Sequence, residues 1–117
     1  MSMRTRDAFL LGLLALAGCS DYSVTDFGGE LIRCRFAGSQ RFEPVCAVER
    51  KREPRGVVLT VRHPDGGFRR LAVRPDGSGL ETADGAEKAV VTLAGATQIE
   101  VTIEGDSYRI PARIAAQ

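Results

Sequence analysis

The segment TQIEVTIEGDSYRIPARI, residues 97–114, decides the fold because apolar and polar residues alternate along almost all of it. A period of two is typical of strands that bury one face of a sheet and expose the other. Gly105-Asp106 interrupts the alternation and predicts a two-residue hairpin turn. In that register Ile103 lies opposite Tyr108, and the two strands share one apolar face.

A second hairpin is predicted in GVVLTVRHPDGGFRRLAV, residues 56–73. A two-residue Asp65-Gly66 turn would place Leu59 opposite Ala72. A three-residue Pro64-Asp65-Gly66 loop, with Gly66 in the left-handed region, places Leu59 opposite Leu71 instead. We predict the longer loop because it aligns the apolar faces of the two strands.

The rest of the chain after residue 30 reads as further short strands separated by turns. Strands are predicted in ELIRCRF and PVCAVER, near Leu80 and in KAVVTLA, and Pro111 places the last strand at an edge or ends it. Turn residues recur every 8 to 12 positions or so, which is typical of small β-proteins. We therefore predict an all-β single domain, an antiparallel sandwich or barrel of seven to eight short strands.

Two of the three cysteines, Cys34 and Cys46, lie on strands on either side of the loop 38–40. With Gln40 at the centre of the turn, Cys34 faces Cys46, Ile32 faces Val48 and Phe36 faces Pro44. Such a pair predicts a disulfide worth about 3 kcal/mol in the chain-entropy model. The alternative is a redox or metal site, which needs closer cysteines or histidine partners, whereas the chain has one histidine.

The N-terminus has the layout of a secretory signal. Arg4 and Arg6 precede an apolar run over residues 9–17, and small residues follow at Ala17-Gly18. The run is about half of the roughly 20 residues that a membrane-spanning helix needs.

Leu16-Ala17-Gly18-Cys19 then resembles the lipobox of bacterial lipoproteins. This resemblance implies that residues 1–18 are removed as a signal peptide and that Cys19 receives diacylglycerol and palmitate. Residues 19–29 would be an acylated, flexible tether, and residues 30–117 a periplasmic β-domain. Ser20 after the cysteine favours the outer membrane. The alternative is an ordinary signal peptide with an incidental cysteine.

Two basic features are candidates for binding. The chain's net charge of +1 predicts no general attraction to nucleic acid or to an anionic membrane. The first feature is basic sequence in ERKREPR, residues 49–55, taken as a connection between strands, and the second is a cationic hairpin face around Phe68. Each feature has two interpretations. It is a binding site for anionic envelope material, such as lipid head groups, peptidoglycan carboxylates or an acidic protein, or it is ordinary solvated surface. The candidate residues are Arg50, Lys51, Arg52, Arg62, Phe68, Arg69 and Arg70.

No motif for catalysis or for a cofactor stands out in the sequence. His63 adjoins Pro64 at a turn, where an exposed position is expected, and no G-x-S-x-G motif or phosphate-binding glycine loop is present. One histidine and two paired cysteines do not make a metal site. A pair of carboxylates that meet in space remains open, because spacing alone does not exclude it.

VRHPDGGFRRL, ADGAE and GDSYRIPA, within residues 30–114, resemble a small family of alphaproteobacterial lipoproteins. The resemblance implies the domain and its location, and no activity. The resulting expectation is a lipid-anchored, non-enzymatic binding or structural module. The alternatives are an inhibitor of an envelope hydrolase such as lysozyme and a small carboxylate-dependent hydrolase.

Overall fold

Eight strands form one antiparallel sheet in the computed structural model, which describes residues 23–75, 79–85 and 87–116. The strands are β1 (Glu30–Arg35), β2 (Glu43–Glu53), β3 (Gly56–Arg62), β4 (Phe68–Val73), β5 (Leu80–Thr82), β6 (Val90–Leu93), β7 (Gln98–Ile103) and β8 (Asp106–Pro111). Their spatial order is β5-β4-β3-β2-β1-β8-β7-β6, and the sheet curls into a nearly closed barrel. The predicted all-β fold with one disulfide is confirmed.

The core lies inside the curled sheet and is made by every second residue of the strands. Alternation gives each strand one inward face, so β-branched and aromatic side chains stack in the interior while their neighbours point outward. The buried residues that form this core include Ile32, Cys34, Cys46, Val48, Val57, Leu59, Val61, Leu71, Val73, Leu80, Val101, Ile103, Tyr108, Ile110 and Ile114.

The β3–β4 hairpin confirms the predicted register. Leu59 pairs with Leu71 and Arg62 with Phe68. Gly66 has φ +93°, and the His63 amide donates to the Gly67 carbonyl at 2.8 Å to close the loop. The left-handed conformation at Gly66 is what lets the apolar faces of the two strands match.

The predicted register of the β7–β8 hairpin was wrong by two residues. Ile103 pairs with Asp106, and Tyr108 pairs with Val101, because the turn is Glu104-Gly105. Both turn residues have positive φ, +52° and +90°, as the two-residue turn that suits the twist of the strands requires. A shift of two residues leaves every side chain on its predicted face.

The predicted pairing around the disulfide was also wrong in detail. Ile32 pairs with Cys46, and a bulge follows before Cys34 pairs with Glu43, so Cys34 does not face Cys46 and Ile32 does not face Val48. The two cysteines are diagonal neighbours on the inward face. Their Cα atoms are 6.1 Å apart, within the range of a disulfide, and the bond is formed.

The basic sequence of residues 49–55 does not connect two strands, contrary to the prediction. β2 continues to Glu53, which pairs with Gly56, so the connection is only the tight turn at Pro54 and Arg55. This end of β2 is exposed at Arg50, Lys51 and Arg52 although it pairs with the buried end of β3, which explains why its sequence does not look like a buried strand.

The two ends of the sheet order, β5 and β6, face a seam that no ladder closes in the described part of the chain. Next to this seam, the C-terminal turn after Pro111 brings Ile114 into the core. Arg50 holds this turn, donating from Nε to the Ile114 carbonyl at 3.1 Å and from Nη2 to the Ala116 carbonyl at 2.8 Å.

The predicted signal peptide and Cys19 lie outside the described residues. The described chain starts at Ser23 in a folded turn, where the Ser23 amide donates to Asp26 Oδ2 at 3.1 Å. Gly29 then leads into β1 at φ +100°, and a Cβ built there would lie 2.7 Å from the Val48 carbonyl oxygen. The chain therefore enters the domain at a fixed place against β2.

Candidate functional site: an arginine–aromatic face

A row of outward-facing side chains crosses four neighbouring strands on the outside of the barrel, and one of them, Ala47, is buried. Leu31 on β1 pairs with Ala47 on β2, Ala47 pairs with Arg62 on β3, and Arg62 pairs with Phe68 on β4. Adjacent strands lie about 4.8 Å apart, so these four side chains form one continuous strip. Leu31 and Phe68 are 51% and 57% exposed, unusual values for large apolar residues.

Arg62 lies between two aromatic rings on this strip. Its guanidinium carbon is 4.5 Å from the centre of the Phe27 ring and 5.9 Å from that of Phe68. Glu49 approaches the same guanidinium at 3.6 Å. Phe27 comes from the folded segment before β1 and is itself 56% exposed, so the N-terminal segment contributes to this surface.

A second group of arginines continues the surface across β1 and β8. Arg33 pairs with Arg109, and Arg35 lies on the same outward face two residues further along β1. All three arginines contact Phe42. The guanidinium carbons of Arg109 and Arg35 lie 4.0 Å and 4.9 Å from the centre of its ring, and Arg33 Nη2 donates to its carbonyl at 3.1 Å. We call the two groups together the arginine–aromatic face: Phe27, Leu31, Arg33, Arg35, Phe42, Ala47, Arg62, Phe68 and Arg109.

Carboxylates balance only part of this charge. Glu100 Oε1 lies 3.3 Å from Arg109 Nε. In the part of the chain that the structure describes, neither Arg33 nor Arg35 has a carboxylate within 4 Å, and Arg35 instead donates to the Ser107 hydroxyl at 3.3 Å. Like charges on neighbouring strands oppose pairing, so this arrangement favours an external anion.

Inside one end of the barrel, a polar network joins two strands, β4 and β8, and two loops. The Arg69 Nε donates to the Tyr108 hydroxyl at 2.9 Å, and His63 Nε2 lies 2.8 Å from the same hydroxyl. Arg69 Nη2 also donates to Asp106 Oδ2 at 3.1 Å, and Asp106 Oδ1 accepts from the Ala37 amide at 2.9 Å. Because Arg69 donates to the hydroxyl oxygen, the hydroxyl proton is available to a neutral His63.

The electrostatics of the network keep its two titratable rings neutral. Burial lowers the pKa of His63; Asp65 and Asp106 oppose the shift and Arg69 supports it. Burial raises the pKa of Tyr108 to about 12, against the opposing effect of Arg69. The expectation that His63 is exposed was wrong: it is half-buried because it caps the Tyr108 hydroxyl and packs against Phe36, with ring centres 5.0 Å apart. At neutral pH the network therefore acts as a hydrogen-bonded closure of the barrel.

The structure separates the basic residues that the sequence singled out. Arg62, Phe68 and Arg70 share the outer face, where Arg70 Nη2 donates to both carboxylate oxygens of Glu53 at 3.0 and 3.1 Å. Arg69 points inward to the polar network instead, because it pairs with the buried Val61.

The remaining basic candidates lie elsewhere on β2. Arg50 holds the C-terminal turn, and Lys51 and Arg52 are exposed near the end of the strand that leads to Gly56. They do not join the strip through Ala47, which lies earlier on the same strand.

Sequence reasoning missed the residues that make the arginine–aromatic face continuous: Phe27, Leu31, Arg33, Arg35, Phe42 and Arg109. The alternation of Arg33 and Arg35 with Ile32 and Cys34 does indicate an outward face for these arginines. What it does not indicate is the pairing of β1 with β8, whose residues are separated by 72 positions at the Arg35–Ser107 contact.

No group of three or more histidine, cysteine, aspartate or glutamate side chains is arranged to hold a metal ion in the ranges that the structure describes. Within those same ranges, no helix has the length and apolar character to cross a membrane. Comparison of the chain with protein-family models, with curated proteins and with solved structures finds no match.

Proposed function

We propose that this protein is a lipid-anchored protein of the bacterial cell envelope that acts by binding rather than by catalysis. The observation that carries the proposal is the Cys34–Cys46 disulfide. It accounts for two of the three cysteines and leaves Cys19, the residue that ends the lipobox-like sequence Leu16–Cys19, as the remaining one.

The anchor and the domain fit together in this proposal. Acylation of Cys19 would supply more than one hydrocarbon chain, which is what stable membrane attachment requires. A disulfide-bonded domain is suited to the oxidising periplasm. Ser20 after the acylated cysteine favours the outer membrane, so the domain would face the periplasm from that membrane.

The binding role is supported by the outer surface of the barrel. The arginine–aromatic face combines exposed rings with guanidinium groups that lack a full set of carboxylates, and such a surface recognises anions. The polar network, by contrast, is internally satisfied: the Tyr108 hydroxyl and Asp106 are each bound from two sides.

Metabolic labelling with a palmitate analogue tests the anchor. The wild-type protein should incorporate the label and Cys19→Ser should not. The double variant Cys34→Ser/Cys46→Ser is the matched control, since it loses two cysteines and should keep the label. Label retained by Cys19→Ser, or no label in the wild type, would contradict the proposed anchoring.

A further inference from the structure

We infer that the arginine–aromatic face lies against the anionic surface of the membrane that holds the protein's own acyl anchor. The inference rests on the proposed acylation of Cys19 and adds to it an orientation and a ligand class, the phosphate groups of anionic phospholipids. The barrel would lie with β1, β2 and β3 toward the bilayer and the seam between β5 and β6 away from it.

The first reason is the place where the chain enters the domain. Cys19 is four residues before Ser23, and four residues span at most about 14 Å. Residues from Ser23 onward are folded: the Asp26 amide donates to the Ser23 carbonyl and the Gly28 amide to the Thr25 carbonyl, each at 3.0 Å. The short connection therefore ends at the segment that places Phe27 on the face.

The second reason is the exposed apolar area beside that segment. Phe27, Leu31 and Phe68 are each more than half exposed and lie on or over one strip of the sheet. Aromatic and aliphatic side chains of this kind enter the boundary between head groups and acyl chains. Among the residues that the structure describes, the other large exposed apolar ones, Val90 and Leu93, are on β6 beside the seam.

The third reason is the charge around the apolar strip. Arg33 and Arg35 have no carboxylate partner in the described ranges, and Arg62 and Arg109 each contact one carboxylate. A basic residue near an anionic leaflet strengthens attachment, and guanidinium groups bind phosphate through paired hydrogen bonds. The face thus offers rings for the head-group boundary and cations for the phosphates around it.

Because the acyl anchor holds the protein at the membrane, weak contacts between the face and the lipids are sufficient for docking. A domain tethered within a few residues of the bilayer meets its surface at high effective concentration, so docking is an intramolecular step. The face therefore sets the orientation of the barrel rather than its attachment, and these two properties can be measured separately.

The experiment uses the absence of tryptophan from the chain. Phe68→Trp places a single reporter on the face at a position 57% exposed, and Leu93→Trp places a matched reporter beside the seam at a position 85% exposed. The acylated full-length protein is reconstituted into vesicles of phosphatidylethanolamine and phosphatidylglycerol, with or without brominated acyl chains. Circular dichroism and thermal unfolding are used to check that both variants keep the fold.

Bromine should quench the tryptophan at position 68 and leave the one at position 93 nearly unchanged. The quenching should weaken at high salt, because salt screens attraction between the arginines and the lipid phosphates. Arg33→Glu/Arg35→Glu should lower the equilibrium constant for docking by at least about fivefold per arginine. Arg74→Glu/Lys88→Glu, which changes net charge equally beside the seam, should not.

The outcomes separate the two proposals. If the reconstituted protein fails to float with vesicles and carries no acyl label, anchoring at Cys19 and docking both fall. If it floats with the vesicles but position 68 is not quenched, or both positions are quenched alike, the anchor stands and docking on the membrane is refuted. Flotation without quenching at position 68 is also the result expected if the face binds an acidic protein instead of the membrane.

Discussion

Removal of one oxygen atom, by Tyr108→Phe, should destabilise the barrel severely without changing its apolar packing. The ring is fully buried, so its contacts with the core remain. The hydroxyl, however, is the partner of both Arg69 Nε at 2.9 Å and His63 Nε2 at 2.8 Å. The substitution leaves both nitrogens without that partner at the closed end of the barrel.

The magnitude follows from the two lost contacts. A hydrogen bond to a charged donor is worth about 1.5–3 kcal/mol and a neutral one about 1 kcal/mol. Arg69 keeps 19% of its side chain exposed, so water recovers part of this loss. We expect a loss of about 2–3 kcal/mol in the free energy of unfolding, which lowers the Tm of a domain this size by roughly 10–20 °C.

Urea unfolding of the oxidised protein, followed by circular dichroism, measures this loss, and a double-mutant cycle assigns it. Tyr108→Phe should couple to Arg69→Met by about 1 kcal/mol or more, because the two residues share the bond. Arg70→Met is the matched control: it is the next residue but faces outward to Glu53, so its effect should be additive. A loss below about 0.5 kcal/mol, or equal coupling to both arginines, would refute the reasoning.

Two further predictions concern pH and backbone geometry. The pKa of His63 is lower in the folded state than in the unfolded chain, so the unfolded chain binds the extra proton more readily. The contribution of His63 to stability is therefore complete above about pH 6.5, and it is lost as the pH falls toward the folded-state pKa. The Tm should therefore fall more steeply between about pH 7 and 5 in the wild type than in His63→Gln, and parallel profiles would contradict this. Gly29→Ala should lower the free energy of unfolding by clearly more than the roughly 1 kcal/mol typical of a strained glycine position, because its Cβ would meet backbone atoms. Gly38→Ala is the control, since Gly38 has a similar φ of +88° but open space around it. Equal losses of unfolding free energy in the two variants would show that the close approach at Gly29 is unimportant.

The sequence predicts the local parts of this fold because local chemistry specifies them. The β3–β4 register follows from one loop whose Gly66 must be left-handed. The β7–β8 register does not follow, because shifting it by two residues keeps every face unchanged. The observed turn lets the Asp106 carboxylate accept hydrogen bonds from the Ala37 amide and from Arg69, residues far away in the chain.

The candidate site was less predictable than the fold for the same reason. Alternation shows that Arg33 and Arg109 point outward, but their pairing depends on β1 meeting β8. Adjacent residues can also point in opposite directions. Arg69 and Arg70 look like one basic pair in the sequence, but on β4 the Arg69 side chain points into the barrel and the Arg70 side chain points outward. A surface assembled from distant strands is visible only once those strands are placed.

The strand order has a consequence for how the chain becomes a barrel. β1, the first strand to be made, sits in the middle of the sheet, and one of its two neighbours is β8, the last. The strands from β1 to β5 pair in sequence, so that half of the sheet can assemble as the chain emerges. The other side of β1 must wait with unpaired backbone until the final strand arrives. We expect the pairing of β1 with β8 to be the late, slow step of folding. Until it forms, a neighbouring chain can pair with the free edge of β1 instead.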